Sequence, residues 1–130
     1  MGLNDSLANA LSLILNNEVI GKQDCVIKPI SFVIKEVAKV MKEAGYIQEI
    51  EEVEDGRGNY LKLKLTGKIN KCGVVKPRYN TKITNYEKFE KRYLPSKDLG
   101  ILVISTNQGI MNHDEAKKKK IGGKLLAYCF

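Results

Sequence analysis

No apolar stretch in this 130-residue chain approaches the roughly 18 residues that a membrane-spanning helix needs; the run Ile101 to Ile104 has the length of a strand. The opening segment, Met1 to Ser6, lacks the basic stretch of a signal peptide. A soluble, cytoplasmic protein is expected. There are only three cysteines, Cys25, Cys72 and Cys129, widely spaced and without a C-x-x-C pair. They read as reduced, mostly buried thiols rather than as metal ligands or disulfide partners. His113 is the single histidine, and its position in the first turn of a short helix that reads as exposed argues against catalysis or metal binding.

The usual catalytic signatures are missing as well. Gly67-Lys68 is followed by Ile69, not Ser or Thr, and has no matching glycine ahead of it, so it is not a phosphate loop. Ser105 lacks the flanking glycines of a nucleophile elbow. The acidic cluster Glu49, Glu51, Glu52, Glu54 and Asp55 would invite magnesium only if its carboxylates converged, and strand spacing spreads them over both faces of a hairpin. The expectation is a non-enzyme without a cofactor, a metal or a small-molecule substrate.

What is present is positive charge in one half. The chain carries 22 Lys plus Arg against 15 Asp plus Glu, a formal +7. Residues 1–66 hold eight cations and ten acids, a net −2, whereas residues 67–130 hold fourteen and five, a net +9. A polyanion would bind to the second half, and nucleic acid is the commonest such partner because each neutralised phosphate releases counterions. A Lys-rich solvated surface of a heat-adapted protein is the alternative. At 43% hydrophobic and 28% charged residues the composition is that of a folded protein.

The pattern along the chain divides at Gly67. Asn4, Asp5 and Ser6 can cap a helix whose face is Leu3, Leu7, Leu11, Ile14 and Leu15, ending near Asn16-Asn17. A short strand, Asp24 to Lys28, precedes a second helix with Val33, Val37, Val40, Met41 and Ala44 on its face and Gly45 as its left-handed cap. Tyr46 to Glu54 and Tyr60 to Leu65 read as a hairpin. Residues 1–66 therefore form an αβαββ domain, and 67–130 a mainly β domain with two short helices; the fold class is α+β. In the second half, Lys68 to Tyr79 suggests edge strands or a bent strand. Thr84 to Glu87 has capping-box spacing for a helix that stops at Pro95, and Asn112 to Glu115 caps another. Leu99 to Ile104 is the best buried strand, and Leu125 to Phe130 is a final one.

Between that buried strand and Ile110-Met111 lies Ser105-Thr106-Asn107-Gln108-Gly109. Hydroxyls and carboxamides both donate and accept, which suits base edges and 2′-hydroxyls of RNA; an ordinary polar turn is the other reading. These residues also carry a resemblance. The run Gly100 to Met111, followed by Glu115-Ala116-Lys117 and Gly122-Gly123-Lys124, resembles the signature of the small-subunit ribosomal protein eight family. Asn70 to Gly73, Pro77-Arg78-Tyr79 and Leu94-Pro95-Ser96 look like its archaeal and eukaryotic branch. Nineteen Lys against three Arg, with thirteen Ile and three Gln, leans towards a thermophilic archaeon.

The resemblance implies a primary binder of ribosomal RNA. Members dock on an internal-loop-containing helix in the central domain of small-subunit (16S) rRNA and promote its folding and subunit assembly. They sit in the small subunit beside neighbouring ribosomal proteins, and bacterial members also bind their own mRNA. By analogy Ser105, Thr106, Asn107, Gln108 and Gly109 form the RNA-reading loop; Asn107-Gln108 is neutral where bacterial members often carry lysine, so phosphate contact falls to other residues. Lys28, Lys71, Lys76, Arg78, Lys82 and Lys124 are the phosphate candidates. Asn4, Asp5 and Ser6, at a helix N-terminus, are candidates for backbone contact, and Tyr79 and Tyr86 for stacking on a base or for core packing. The free protein is expected to be a monomer. A translational regulator that binds a structured messenger, and a small nucleic-acid-processing enzyme using the acidic hairpin, are the competing readings.

Overall fold

Runs of apolar residues at helical spacing alternate in this chain with period-two strands, and several strands pair with partners forty or more positions away. The computed structural model describes residues 6–27, 32–54, 56, 59–75, 80–95 and 99–130. Asn4, Asp5, Lys28, Lys76, Arg78 and Tyr79 lie outside the described residues, as does the side chain of Ser6. The chain is α+β, and it divides into two compact units, Met1–Lys71 and Cys72–Phe130.

In the first unit α1 (Ser6–Val19) buries Leu7, Ala10, Leu11 and Ile14, the i, i+3, i+4, i+7 stripe that a helix turns to one side. It runs past Asn16-Asn17, where the sequence suggested its end: Ile20 still donates its amide to Asn16 at 3.2 Å. The second helix, α2 (Phe32–Glu43), buries Ile34, Val37, Ala38, Val40 and Met41. Its last turn closes with Gly45 at φ +90°, and Tyr46 donates its amide to Met41 O at 2.9 Å. That left-handed geometry is the reason for glycine there.

Strand β1 (Asp24–Ile27) pairs antiparallel with β3 (Asn59–Leu65), which pairs antiparallel with β2 (Ile47–Glu54), giving the order β1-β3-β2. Leu61, Leu63 and Leu65 are buried while Lys62 and Lys64 are exposed, as period-two alternation demands. Asp55 lies outside the described residues, and among the described ones the acidic residues form no group that could hold a metal ion. Glu52 is bound by Lys35 Nζ at 2.9 Å and by Asn59 Nδ2 at 2.8 Å, while Glu49 and Glu51 stand opposite Lys64 and Lys62. The expected boundary at Gly67 differs from the division in the structure by a few residues. Ile69 is buried and donates its amide to the Glu18 carboxylate at 3.3 Å, which ties 68–71 to the first unit.

The second unit is one antiparallel sheet with two short helices. Its strands are β4 (Cys72–Val74), β5 (Asn80–Thr81), β6 (Ile101–Thr106), β7 (Gly109–Asn112) and β8 (Gly123–Cys129), in the order β4-β8-β6-β7 with β5 also on β8. Strands β4 and β5 therefore share one edge, in keeping with the bent edge strand expected there. Helices α3 (Tyr86–Tyr93) and α4 (His113–Lys119) contribute to a core of Val75, Tyr86, Phe89, Leu94, Leu102, Ile104, Met111, Ala116 and Leu125.

Two local expectations change and one holds. The capping box at Thr84 to Glu87 does not form: a 3-10 turn, Ile83–Asn85, leads into α3, and Asn85 is already helical at φ −98°, ψ −8° with no side-chain cap. The α4 cap does form, with Asn112 Oδ1 accepting the Glu115 amide at 2.8 Å. His113 is not exposed but 1% accessible. Its Nδ1 accepts the Leu102 amide at 3.1 Å. That contact occupies the rung after Val103↔Asn112, where β7 has already turned into α4 and its main chain no longer supplies the bond.

Candidate nucleic-acid interface

The buried strand β6 ends on alternating small polar residues, so its tip can stay paired while reaching solvent. Ser105 and Thr106 are not loop residues: they pair with Ile110 and Gly109, and only Asn107 and Gln108 form the turn. Thr106 builds that turn. Its Oγ1 donates to Gly109 O at 2.7 Å and accepts the Gln108 amide at 3.1 Å. Gly109 sits at φ +117°, a backbone conformation that side chains other than glycine rarely adopt. Asn107 and Gln108 are exposed, and Ser105 is half-buried.

The glycine pair after α4 brings three strands together beside this turn. Lys120 ends α4 in the left-handed conformation, and Tyr86 Oη donates to Ile121 O at 2.7 Å. A Cβ on Gly122 would collide with Thr81 O, and one on Gly123 with Ser105 O. Only glycine lets β8 begin between β5 and β6 at this spacing. Thr81 Oγ1 then donates to Gly123 O at 2.8 Å. Register puts Asn80, Lys124 and Ser105 on one rung across three strands.

An open recess of about 540 Å³ results, lined by Asn80, Thr81, Ser105, Thr106, Asn107 and residues 121–124. Among the described residues, with the Thr81 and Thr106 hydroxyls engaged by main-chain oxygens, its rim offers the Ser105 hydroxyl, the carboxamides of Asn80 and Asn107, and the Lys124 ammonium. Asn80, Asn107 and Lys124 are exposed, so these groups are open to a ligand. A neutral polar rim with one cation suits a partner that presents hydrogen-bonding edges beside isolated negative charges.

Of the residues the sequence singled out, the structure brings together Ser105, Thr106, Asn107 and Lys124 around this recess, with Gln108 and Gly109 in the same turn. Lys82 is exposed and directly follows Thr81; Lys71 is exposed at the end of the first unit. Tyr86 takes the second of its two expected roles, core packing. It is fully buried and hydrogen-bonded to the main chain, and burial holds its phenol above the usual range, so its ring cannot stack on a base. Asn80 and Thr81 escaped the sequence reading altogether, since two polar residues after a proline segment carry no signal of their own. Gly122 and Gly123 were legible as part of the family signature, but not as the point where three strands meet.

Behind the interface, α3 and α4 are joined by a buried polar cluster. Glu90 is 2% accessible, Lys117 Nζ pairs with its Oε1, and His113 Nε2 lies 3.4 Å from the same oxygen. Because Nδ1 accepts from Leu102, the neutral ring carries its proton on Nε2. Burial holds the His113 pKa below its ordinary value, despite the opposing fields of Asp114 and Glu90.

Among the described residues no helix is long and apolar enough to cross a membrane. The family model for ribosomal protein S8 matches residues 5–130. The chain therefore belongs to the ribosomal protein S8 family, whose members are structural, RNA-binding proteins of the small ribosomal subunit and not enzymes.

Proposed function

We propose that this protein is a primary binder of small-subunit rRNA. It docks the β6–β7 turn and the adjoining recess on an internal-loop-containing helix of the rRNA central domain, and so promotes the folding of that domain and subunit assembly. The observation that carries the reading is the rung Asn80–Lys124–Ser105 beside the Asn107-Gln108 turn. It sets a phosphate-seeking ammonium next to neutral donors and acceptors, as recognition of an irregular RNA surface requires. Ser105, Asn107, Gln108 and Asn80 meet base edges and sugars; Lys124 meets phosphate, as does Lys82, which follows Thr81 of the recess. Thr106, Gly109, Gly122 and Gly123 act by holding that surface in shape. Lys71, Lys28, Lys76 and Arg78 remain candidates for further phosphate contacts, and neighbouring ribosomal proteins complete the environment.

Footprinting the cognate rRNA fragment with the purified protein tests partner and site together. Protection should centre on the internal loop. Ser105→Ala should weaken specific binding by about 1–3 kcal/mol while leaving its salt dependence unchanged. Lys124→Gln should lower the salt slope by about one. Undiminished affinity in both variants would refute the site, and protection confined to regular duplex would refute the mode of recognition.

A further inference from the structure

The three cysteines look unrelated in sequence, yet two of them meet in the sheet. Cys72 on β4 and Cys129 on β8 stand directly opposite each other in antiparallel register. Opposed residues project from the same face of a sheet, with Cβ atoms about 4.5–5.5 Å apart. A disulfide needs Cβ atoms about 3.5–4.5 Å apart, so a small approach of the two strands is sufficient. Strand β4 has only three residues and lies at the sheet edge, where among the described strands it pairs with β8, so the approach has to move only a short segment. Both thiols are buried, at 5% and 1% accessibility, and Cys129 is flanked on its other side by Ile101, with no charged residue in the row. Cys25 belongs to the first unit, so it has no part in this pairing.

We propose that Cys72 and Cys129 are a redox-active pair that closes to a cross-strand disulfide, pinning edge strand β4 to β8. The oxidant is a small-molecule disulfide. Cys72, on the edge strand, loses its proton and attacks one sulfur of the oxidant; that S–S bond breaks and a thiolate leaves, taking up a proton. Cys129, deprotonated in turn, attacks the Cys72 sulfur of the mixed disulfide and releases the second small thiol. Two protein thiols are oxidised, one external disulfide is reduced to two thiols, and a reductant reverses the exchange. The proposal is independent of the RNA reading.

The test uses the reduced, folded full-length chain with oxidised glutathione as the probe, followed by acid quenching, digestion without reduction and mass spectrometry. An intramolecular Cys72–Cys129 peptide pair, lighter by two hydrogen atoms and separated by reductant, is expected. Cys129→Ser should leave a glutathione adduct on Cys72 that the unsubstituted chain resolves. The pairing is overturned if both thiols survive in the folded chain, if the bond appears only after denaturant is added, or if the unsubstituted chain retains the Cys72 adduct. Because the decisive reading is made on the unsubstituted chain, it does not depend on how well the variant folds.

Discussion

The two units solve the problem of charge in opposite ways. Residues 1–71 carry ten cations and ten acids, and residues 72–130 carry twelve and five, so the whole excess of +7 falls in the second unit. In the first, charge stays on exposed faces and is balanced locally: Lys35 with Glu52, Lys39 with Glu36, and Lys62 and Lys64 opposite glutamates. In the second, one carboxylate is buried. Glu90 pairs with Lys117 and lies beside the neutral His113 ring, while Lys124 stays outside at the recess. A surface built for a polyanion needs cations in excess of its own acids, and that excess lies in the second unit. The proposed RNA contact accordingly centres on the second unit.

Core truncation probes the division most strongly. Leu63→Ala in the first unit and Leu102→Ala in the second each remove a fully buried side chain and should each cost about 2–5 kcal/mol. Amide exchange should then loosen mainly within the unit that carries the substitution. Equal loss of protection along the whole chain would break the comparison.

Gly123→Ala comes next. The new methyl meets main-chain Ser105 O rather than a side chain that can swing away, and such overpacking costs about 1–3 kcal/mol. RNA affinity should fall more than that of a variant equally destabilised at Leu63. A loss no greater than at Leu63 would mean that the recess is not the contact surface.

A smaller effect distinguishes the units by acid. The folded state holds the His113 pKa below its unfolded value of about 6.5, so the unfolded chain gains the proton first as pH drops. Stability from this site is complete above pH of about 6.5 and declines below it, towards the depressed folded value. Urea unfolding followed across that range should show the decline, and His113→Gln should remove it. A pH-dependent decline that survives the substitution would assign it elsewhere.

The smallest change belongs to the exposed pair in the first unit. Lys35 and Asn59 hold Glu52 below the ordinary carboxylate range. Its contribution is present above the unfolded pKa and fades as pH falls through the folded one. Glu52→Gln should move the unfolding midpoint less than His113→Gln moves it at neutral pH, because solvent screens an exposed pair. A larger shift would mean that the pair matters more than its exposure implies.

Much of this was legible because helices and strands here obey local rules. Alternation at Leu61, Leu63 and Leu65 identified β3 and its buried face, and Gly45 marked the end of α2. Ser105 to Gly109 were recognisable as a polar group set after a buried strand. The other half of the recess was not, because Asn80, Gly122 and Gly123 join it only through pairing of β5, β6 and β8. His113 was misread for a related reason: a histidine followed by Asp114 and Glu115 looks solvent-facing. Only the main-chain amide of Leu102, eleven positions away, explains why its ring turns inward.

Sequence by itself determined the α+β order of elements, the concentration of positive charge downstream of the first unit, and the resemblance to a ribosomal RNA-binding family. Those properties reside in the periodicity and identity of neighbouring residues. Tertiary structure alone decided that Thr106 braces the turn, that Tyr86 is core, that Asn80, Lys124 and Ser105 share a rung, and that Cys72 faces Cys129. Each depends on register between strands far apart in the chain, and register is set by how buried faces pair across a sheet.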